Sequence, residues 1–250
     1  MKQVTFIHHS SFLVELDTVS LLFDYVPAGN YADYTFHGQR PHINPDKPLL
    51  VFASHHHKDH YDLSVLDFLK ENPNTYFIFA KDVRLGNRYL IKNGYDPKIK
   101  ERITMVSARS DYEVCGVKIE TLRSTDAGVA FIVNVGGELI FHAGDLHWWN
   151  IGESELYGNK FGKEFKTEIK FMKDKVVDLA FVVLDPRLGD GTAYGLEAFV
   201  NTVPCNHVFP MHMWQKFDII EEAKKRPAII NFADKIVDID RENIIFDIED

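Results

Sequence analysis

The amino-acid sequence predicts an α/β protein in which two sheets pack face to face and helices cover their outer surfaces. Three observations support this prediction: short apolar runs open the chain, strand and helix patterns then alternate, and a similar order of elements returns in the second half. Alternating strands and helices are typical of sheets flanked by helices. The length of 250 residues allows two domains, but folds of this size often form one unit, so a single domain spanning 1–250 is expected.

The first half opens with strands and continues with alternating strands and helices. The opening strands are predicted because apolar residues stand in short blocks bounded by turn residues. Residues 26–48 hold scattered Pro, Gly and Asn without a period and therefore predict a long loop. The predicted elements are strands in QVTFIHH, SFLVEL and SLLFDY, a buried strand at 49–54, a helix capped by Asp62, a strand at 76–80 and a helix at 82–93.

The second half begins with consecutive strands and ends with another strand–helix alternation. Gly136 and Gly137 can form a two-residue hairpin turn between the last two of the consecutive strands. The predicted elements are strands in ITMV, YEVCG, VKIETL, VAFIVNV and ELIFHA, a helix near 160–175, a strand in DLAFVVLD, a helix at 194–203, a strand in HVFPM and a helix at 216–226.

Composition and charge exclude several classes of partner. Asp and Glu outnumber Lys and Arg by 37 to 28, so the formal net charge of -9 offers no general attraction to nucleic acid or anionic lipid. The N-terminal stretch lacks the apolar core of a signal peptide, and no run approaches the ~18 apolar residues of a membrane span. We therefore expect a cytoplasmic protein with a small-molecule substrate and no nucleic-acid or membrane partner. A homo-oligomer is compatible with general principles.

Histidine is concentrated in one segment of the chain. Four of the 12 histidines lie within residues 55–60, directly after the apolar run that predicts a buried strand. The segment has the pattern H-x-H-x-D-H, and side chains two residues apart in an extended segment point to the same side. His55 and His57 can therefore bind one metal ion, while Asp59 and His60, beyond a turn, can reach a second. This cluster predicts a metal site at a strand end.

Two later motifs also place a metal-ligating residue type after a short apolar strand. The turn His142-Ala143-Gly144-Asp145 projects Asp145, whose carboxylate can bridge two cations. The segment Pro210-Met211-His212 delivers His212 at the end of another strand. Each motif alone is weak, because Gly-Asp turns and single histidines are common. Their order after the histidine cluster strengthens the prediction of a metal centre.

With these motifs in this order, the sequence resembles the metallo-β-lactamase fold superfamily over nearly the whole chain. Within it, the chain is most similar to stand-alone hydrolases related to L-ascorbate-6-phosphate lactonase, on the segments HHSSFLVE, LLFD, HAGDLHWW, LDPR and FPMHMW. The resemblance implies a metallo-β-lactamase-like domain, a four-layer αββα sandwich with metals at the sheet edges. The implied ligands are His55 and His57 at one metal site, Asp59, His60 and His212 at the other, and Asp145 between them.

The sequence departs from the superfamily at the first metal site. The family normally supplies a further histidine before the hairpin that leads to the Gly-Asp turn, but residues 121–128 contain none. Asp126 is the good ligand in that segment, and it would give a two-histidine, one-carboxylate set that suits Fe or Mn as well as Zn. Two alternatives stay open: the first site is weak or empty, or Asp126 caps a backbone turn. One or two Zn²⁺ ions are expected, with Mn²⁺ or Fe as alternatives.

A metal-dependent hydrolase is the function that this ligand set favours. Paired metal ions ~3.5–4 Å apart activate a shared water and hold the attacking and leaving oxygens of a displacement. The expected substrate bond is an ester, lactone or phosphodiester-like bond of a small anionic metabolite, with Asp59 and Asp145 as catalytic residues. Asp185 and Arg187 in Leu-Asp-Pro-Arg are candidate substrate-binding residues, and an ion pair between the two is an equal alternative.

Two other functions remain open from the sequence. A carboxylate-rich first site also suits a di-iron redox protein, which bound iron and a reductant-sensitive absorption spectrum would reveal. Loss of the first site would leave a non-catalytic protein that binds a single metal ion. Such a protein would hydrolyse no member of a broad ester and phosphodiester panel.

Overall fold

A computed structural model of the chain describes residues 2–150 and 155–248, including all their side chains except those of 155–159. Contacts divide the chain into two units: unit 1 comprises Met1–Ser107 and Asn243–Asp250, and unit 2 comprises Ala108–Glu242. The single domain predicted for 1–250 stays a prediction. Within the described residues, none of the helices has the length and hydropathy of a bilayer span.

Strands and helices are numbered along the chain. The strands are Lys2–His8 (β1), Ser11–Glu15 (β2), Ser20–Phe23 (β3), Gly29–Tyr31 (β4), Tyr34–Phe36 (β5), Leu49–Ala53 (β6), Thr75–Ala80 (β7), Ile103–Val106 (β8), Asp111–Val114 (β9), Val117–Arg123 (β10), Val129–Val135 (β11), Glu138–His142 (β12), Val177–Val183 (β13), Cys205–Met211 (β14) and Ile244–Ile248 (β15). The α-helices are Phe68–Glu71 (α1), Asn87–Lys92 (α2), Glu155–Ile169 (α3), Tyr194–Val200 (α4) and Ile219–Lys224 (α5). Short 3₁₀ helices span Leu63–Asp67, Pro97–Arg102, Lys170–Met172, Pro186–Gly191 and Ile230–Lys235.

Unit 1 is built on a mixed seven-stranded sheet with the order β15-β1-β2-β3-β6-β7-β8. The neighbours from β15 to β3 are antiparallel, whereas β3, β6, β7 and β8 run parallel. Strands β6 and β7 are almost wholly apolar and buried, as expected for strands inside a parallel sheet covered by helices. Because β3, β6 and β7 are parallel, the segments that follow them emerge at the same edge of the sheet.

Unit 2 is built on a mixed six-stranded sheet with the order β14-β13-β12-β11-β10-β9. Strands β9 to β12 form an antiparallel meander, and β12, β13 and β14 run parallel. Helix α4 packs against β13, and α3 packs against α4. The parallel strands again deliver their following segments to one edge, which places residues 143–145, 184–187 and 212 there.

Most of the predicted elements are confirmed, and both units have the predicted α/β class. The hairpin between β11 and β12 turns at Gly136 and Gly137, whose φ angles of 61° and 107° require glycine or a strained residue. The predicted loop 26–48 contains the short hairpin β4–β5, which its irregular composition did not indicate. The helix predicted at 82–93 is confined to Asn87–Lys92. Strand β15, which had no prediction, pairs with β1 from the other end of the chain.

Candidate metal centre

The candidate ligands of unit 1 lie in the segment that follows β6. A turn closes this segment, because the backbone N–H groups of His60 and Tyr61 both donate to the carbonyl of His57 (3.0 and 2.9 Å). The ring atoms His55 Nε2 and His57 Nδ1 are 2.9 Å apart. The Nε2 atom of His60 is 3.8 Å from Asp59 Oδ2. The structure therefore gathers the predicted residues of the H-x-H-x-D-H segment at the carboxyl end of one strand.

His9 joins this group, although the sequence analysis gave it no ligand role. Its Nε2 atom lies 3.4 Å from Asp59 Oδ2, and His9, Asp59 and His60 each offer a ligand atom within 4.8 Å of the others. His9 is buried and follows β1 directly, with a positive φ of 49°. Its position at a strand end, which it shares with His55 and His212, is the sequence signal that would have identified it.

Asp24, which follows β3, holds two histidines of unit 1 in place. Its fully buried carboxylate accepts hydrogen bonds from His60 Nδ1 (2.8 Å), Ser54 N (2.7 Å) and Ser54 Oγ (2.6 Å). The Ser54 hydroxyl oxygen lies 2.9 Å from His55 Nδ1. A histidine that donates its Nδ1–H in this way keeps an Nε2 lone pair for a metal ion. The sequence analysis did not identify Asp24 either. Its one local signal is that it directly follows the apolar residues of the segment LLFD.

The candidate ligands of unit 2 come from the segments after β10, β12 and β14. Asp145 Oδ1 lies 3.4 Å from His212 Nε2. Asp126 and Asp145 offer ligand atoms within 4.8 Å of one another, so the structure brings the predicted substitute ligand to the Gly-Asp turn. The Thr125 hydroxyl links the two loops, since it accepts from His147 N (2.9 Å) and donates to His147 O (2.7 Å). The three predicted ligands of this unit therefore lie together.

Asp185 is buried behind His212. Its Oδ2 atom accepts hydrogen bonds from His212 Nδ1 (2.9 Å) and Trp214 Nε1 (3.3 Å). Arg187 donates to the same carboxylate through Nε (3.0 Å) and Nη2 (2.6 Å). Burial raises the pKa of Asp185, but the hydrogen bonds from His212 and Arg187 outweigh burial and hold this pKa well below its ordinary value. The alternative ion pair of Asp185 with Arg187 is therefore present, while substrate binding by the two residues stays a prediction.

The donor sets of both units fit divalent metal ions. In each unit a buried aspartate holds the Nδ1 atom of a histidine whose Nε2 atom lies near a second carboxylate. The two histidine nitrogens that lie 2.9 Å apart in unit 1 need a proton or a cation between them, since their lone pairs would otherwise repel. Imidazole combined with carboxylate suits Zn²⁺, Mn²⁺ and Fe.

Fold and donor sets together define a protein of the metallo-β-lactamase fold, as the sequence predicted. The family model described as the β-lactamase superfamily domain matches residues 3–157, and the chain belongs to this family. The match covers β1 to β12 and includes the histidine segment and the Gly-Asp turn.

Three relatives show how widely this likeness extends. The UPF0173 metal-dependent hydrolase of Desulforamulus reducens is 24% identical over 223 residues, which cover 84% of this chain and 83% of that protein. The structure of Igni18, a metallo hydrolase from Ignicoccus hospitalis, matches with a TM-score of 0.61 at 15% identity and covers 99% of both chains. The metallo-β-lactamase fold protein YhfI from Bacillus subtilis matches with a TM-score of 0.57 at 14% identity, covering 99% of this chain and 100% of that one. The closer relation to L-ascorbate-6-phosphate lactonase stays a prediction.

Proposed function

We propose that the protein is a cytoplasmic, metal-dependent hydrolase that acts with metal-activated water on an ester, lactone or phosphodiester-like bond of a small anionic metabolite. The observation that carries this proposal is the aspartate behind a ligand histidine in each unit, Asp24 behind His60 and Asp185 behind His212. Metal-binding histidines commonly donate their second ring N–H to a carboxylate. The Desulforamulus relative is a metal-dependent hydrolase and Igni18 is a metallo hydrolase, and both support the same class.

The candidate metal ligands have the following roles in this proposal. When bound, the metal ions supply the positive charge that acidifies a water molecule and stabilises the oxyanion of the transition state. In this proposal Asp59 Oδ2, which lies beside the imidazoles of His9 and His60, accepts the proton that the attacking water gives up. The proposed metal ligands are His55, His57, Asp59, His60, Asp126, Asp145 and His212.

Metal content per chain, measured on protein purified without chelator, tests the ligand assignment. We expect two ions in the wild type, a fall towards one in Asp126→Ala, and loss of both metal and hydrolysis in Asp145→Ala. His42→Ala, an exposed histidine outside the set, is the control and should retain both. One ion that persists in Asp126→Ala but disappears in His212→Ala would replace the binuclear assignment with a single-site enzyme. Full metal content without hydrolysis of any ester, lactone or phosphodiester would contradict the function itself.

A di-iron redox protein is the second candidate, because Asp126 and Asp145 place two carboxylates within 4.8 Å of one another. Carboxylate-rich sets with histidine suit iron. Iron in the purified protein, together with an absorption band that bleaches on reduction, would favour this candidate. Colourless protein loaded with Zn²⁺ or Mn²⁺ and active on an ester would exclude it.

A further inference from the structure

A cleft of about 770 Å³ opens in unit 1 at the edge where the parallel strands deliver their following segments. In sheets with parallel strands, ligands bind outside the carboxyl ends of the strands. The segment after β6 that lines the cleft is the one that carries His55 and His57. This cleft is called the Lys58 cleft below. Its polar and charged lining includes Tyr31 of β4, Lys58, Tyr61 and Asp62 after β6, and Asp82 and Arg84 after β7.

Two exposed cations, Lys58 and Arg84, line the Lys58 cleft. Among the described side chains, those of residues 2–150 and 160–248, Lys58 and Arg84 form neither an ion pair nor a hydrogen bond. The arginine of another unit 1 cleft, Arg40, is instead bonded to Glu71 (2.8 Å). An overall excess of positive charge cannot be the reason that Arg40 has an acidic partner and these two cations do not, since the chain holds 37 acidic residues against 28 basic ones. Lysine and arginine left open in a cleft favour binding of an oxyanion.

The remaining polar groups of the cleft suit a ligand that also carries hydroxyl groups. Asp62 is engaged in capping, since it accepts from Ser64 N (2.8 Å), and one oxygen of Asp82 lies 3.0 Å from His56 Nδ1. In the described part of the chain, the other Asp82 oxygen and the Tyr61 hydroxyl are buried without a hydrogen-bond partner. The Tyr61 hydroxyl can donate a hydrogen bond, as a tyrosine hydroxyl ordinarily does. A buried donor and acceptor left open are unfavourable until a ligand pairs with them.

We propose that the Lys58 cleft binds the anionic end of a hydroxylated small molecule, with its phosphate or carboxylate group on Lys58 and Arg84 and its hydroxyl group on Tyr61 and Asp82. The further step, that this molecule is the substrate, rests on the proposed hydrolase function. The substrate is then a hydroxylated small molecule that the cleft holds by its phosphate or carboxylate group.

Binding of inorganic phosphate to the metal-loaded protein, measured by calorimetry, tests the cleft without reference to catalysis. Lys58→Met with Arg84→Met removes both charges, and we expect the affinity for phosphate to fall about tenfold, equivalent to ~1.4 kcal/mol. The matched control is Arg123→Met with Lys163→Met, which removes two charges from a cleft of unit 2 and should change the affinity less than about twofold. Equal losses in the two double variants, or no loss in the first, would overturn the proposal. A parallel titration with malonate shows which oxyanion the cleft prefers.

Because Lys58 lies within the ligand segment, Arg84→Met alone provides a second test on a residue outside that segment. If the double variant loses metal, Arg84→Met alone decides. A lower affinity for phosphate in this variant, at full metal content, supports the proposed anion site. An unchanged affinity in this variant contradicts it.

Hydrolysis separates the cleft proposal from the proposed function. Mono-p-nitrophenyl succinate and p-nitrophenyl propionate differ in one carboxylate, and we expect the double variant to lower the ratio of their kcat/KM values about tenfold. An unchanged ratio in an active double variant would overturn the role of the cleft in substrate binding. A wild type that hydrolyses no ester, lactone or phosphodiester, but binds phosphate through Lys58 and Arg84, would leave the cleft standing and remove the hydrolase function.

Discussion

In both units a buried aspartate accepts a hydrogen bond from a candidate ligand histidine, but different groups stabilise the two aspartates. In unit 1, Asp24 accepts from His60 and from both the backbone and the hydroxyl of Ser54, which in turn lies against a second histidine. In unit 2, Asp185 accepts from His212 and is paired with the half-exposed guanidinium of Arg187. Asp24 thus orients two histidines through buried groups, whereas Asp185 orients one and has a charge partner that reaches solvent. Unit 1 should therefore tolerate change at its aspartate less well than unit 2.

The largest effect is expected from Asp24→Asn. An amide that donates to His60 Nδ1 would move the ring proton to Nε2 and remove the lone pair that a metal ion needs. We expect metal affinity to fall about 10–100-fold, as is typical when the partner of a ligand histidine is lost. Asp185→Asn should produce a smaller fall, since one histidine depends on it. Competition with a chromogenic chelator measures both affinities.

Asp33→Asn is the control for this pair, because Asp33 is exposed. It should bind metal as the wild type does. Equal losses in Asp24→Asn and Asp185→Asn would remove the distinction between the two units. Full affinity in Asp24→Asn would mean that the aspartate does not set the tautomer of His60.

Both units also pack a glycine against a buried histidine, and this parallel gives the next effect in size. A Cβ atom on Gly38 would stand 2.0 Å from His8 Nδ1, and one on Gly195 would stand 2.3 Å from His147 Nδ1. We expect Gly38→Ala and Gly195→Ala each to lower the free energy of unfolding by about 1–3 kcal/mol, as overpacking of a core does. Gly86→Ala, where the added carbon meets open space, should be near neutral. Urea unfolding of the three variants and the wild type measures these differences.

Local sequence patterns identified the candidate ligands because several of them lie within a few residues of the end of a short apolar strand. His55, Asp145 and His212 all follow strands of the parallel parts of the two sheets, and a strand pattern read from the sequence locates such positions well. Fold class, the hairpin at Gly136 and most strands follow from the same local signals.

The supporting groups were missed because their roles depend on pairings between distant parts of the chain. Asp24 meets His60 across 36 residues, and only the parallel pairing of β3 with β6 makes the two neighbours. The pairing of β1 with β15 joins opposite ends of the chain and has no local signal either.

The helix predicted after Asp62 is mostly a 3₁₀ helix, since Leu63–Asp67 precedes only one α-helical turn.

One buried histidine in each unit has a lowered pKa, and we therefore expect acid to destabilise the two units over different pH ranges. Burial lowers the pKa of His8 to about 4 and that of His147 to about 3, from an ordinary value of 6.5. Below pH 6.5 the unfolded chain takes up a proton that the folded protein does not, so each histidine's stability contribution is complete above pH 6.5 and is lost as the pH falls. One such proton corresponds to ~1.4 kcal/mol per pH unit.

Histidine variants separate these two ranges. In His8→Phe, the slope of the free energy of unfolding against pH should be smaller than in the wild type by the equivalent of about one proton between pH 6.5 and 4. In His147→Phe, the same decrease in slope should extend down to pH 3. Urea unfolding at a series of pH values gives the slopes. The exposed His42→Gln serves as control. Slopes that match the wild type in both phenylalanine variants would show that neither ring resists protonation in the folded protein.

The smallest effect is expected from Arg187→Met, and it decides between the two interpretations of this residue. The bond between His212 Nδ1 and Asp185 does not involve Arg187, so metal content should be retained. The guanidinium is half exposed, but its partner carboxylate is fully buried, so its loss should cost about 1 kcal/mol of stability. Arg241→Met, which breaks the exposed pair with Asp240, is the matched control. If kcat/KM for an anionic ester falls in Arg187→Met at full metal content but not in Arg241→Met, Arg187 contacts substrate. If both variants keep wild-type kinetics, Arg187 serves only to stabilise Asp185, and unit 2 then relies on an ion pair where unit 1 uses a serine.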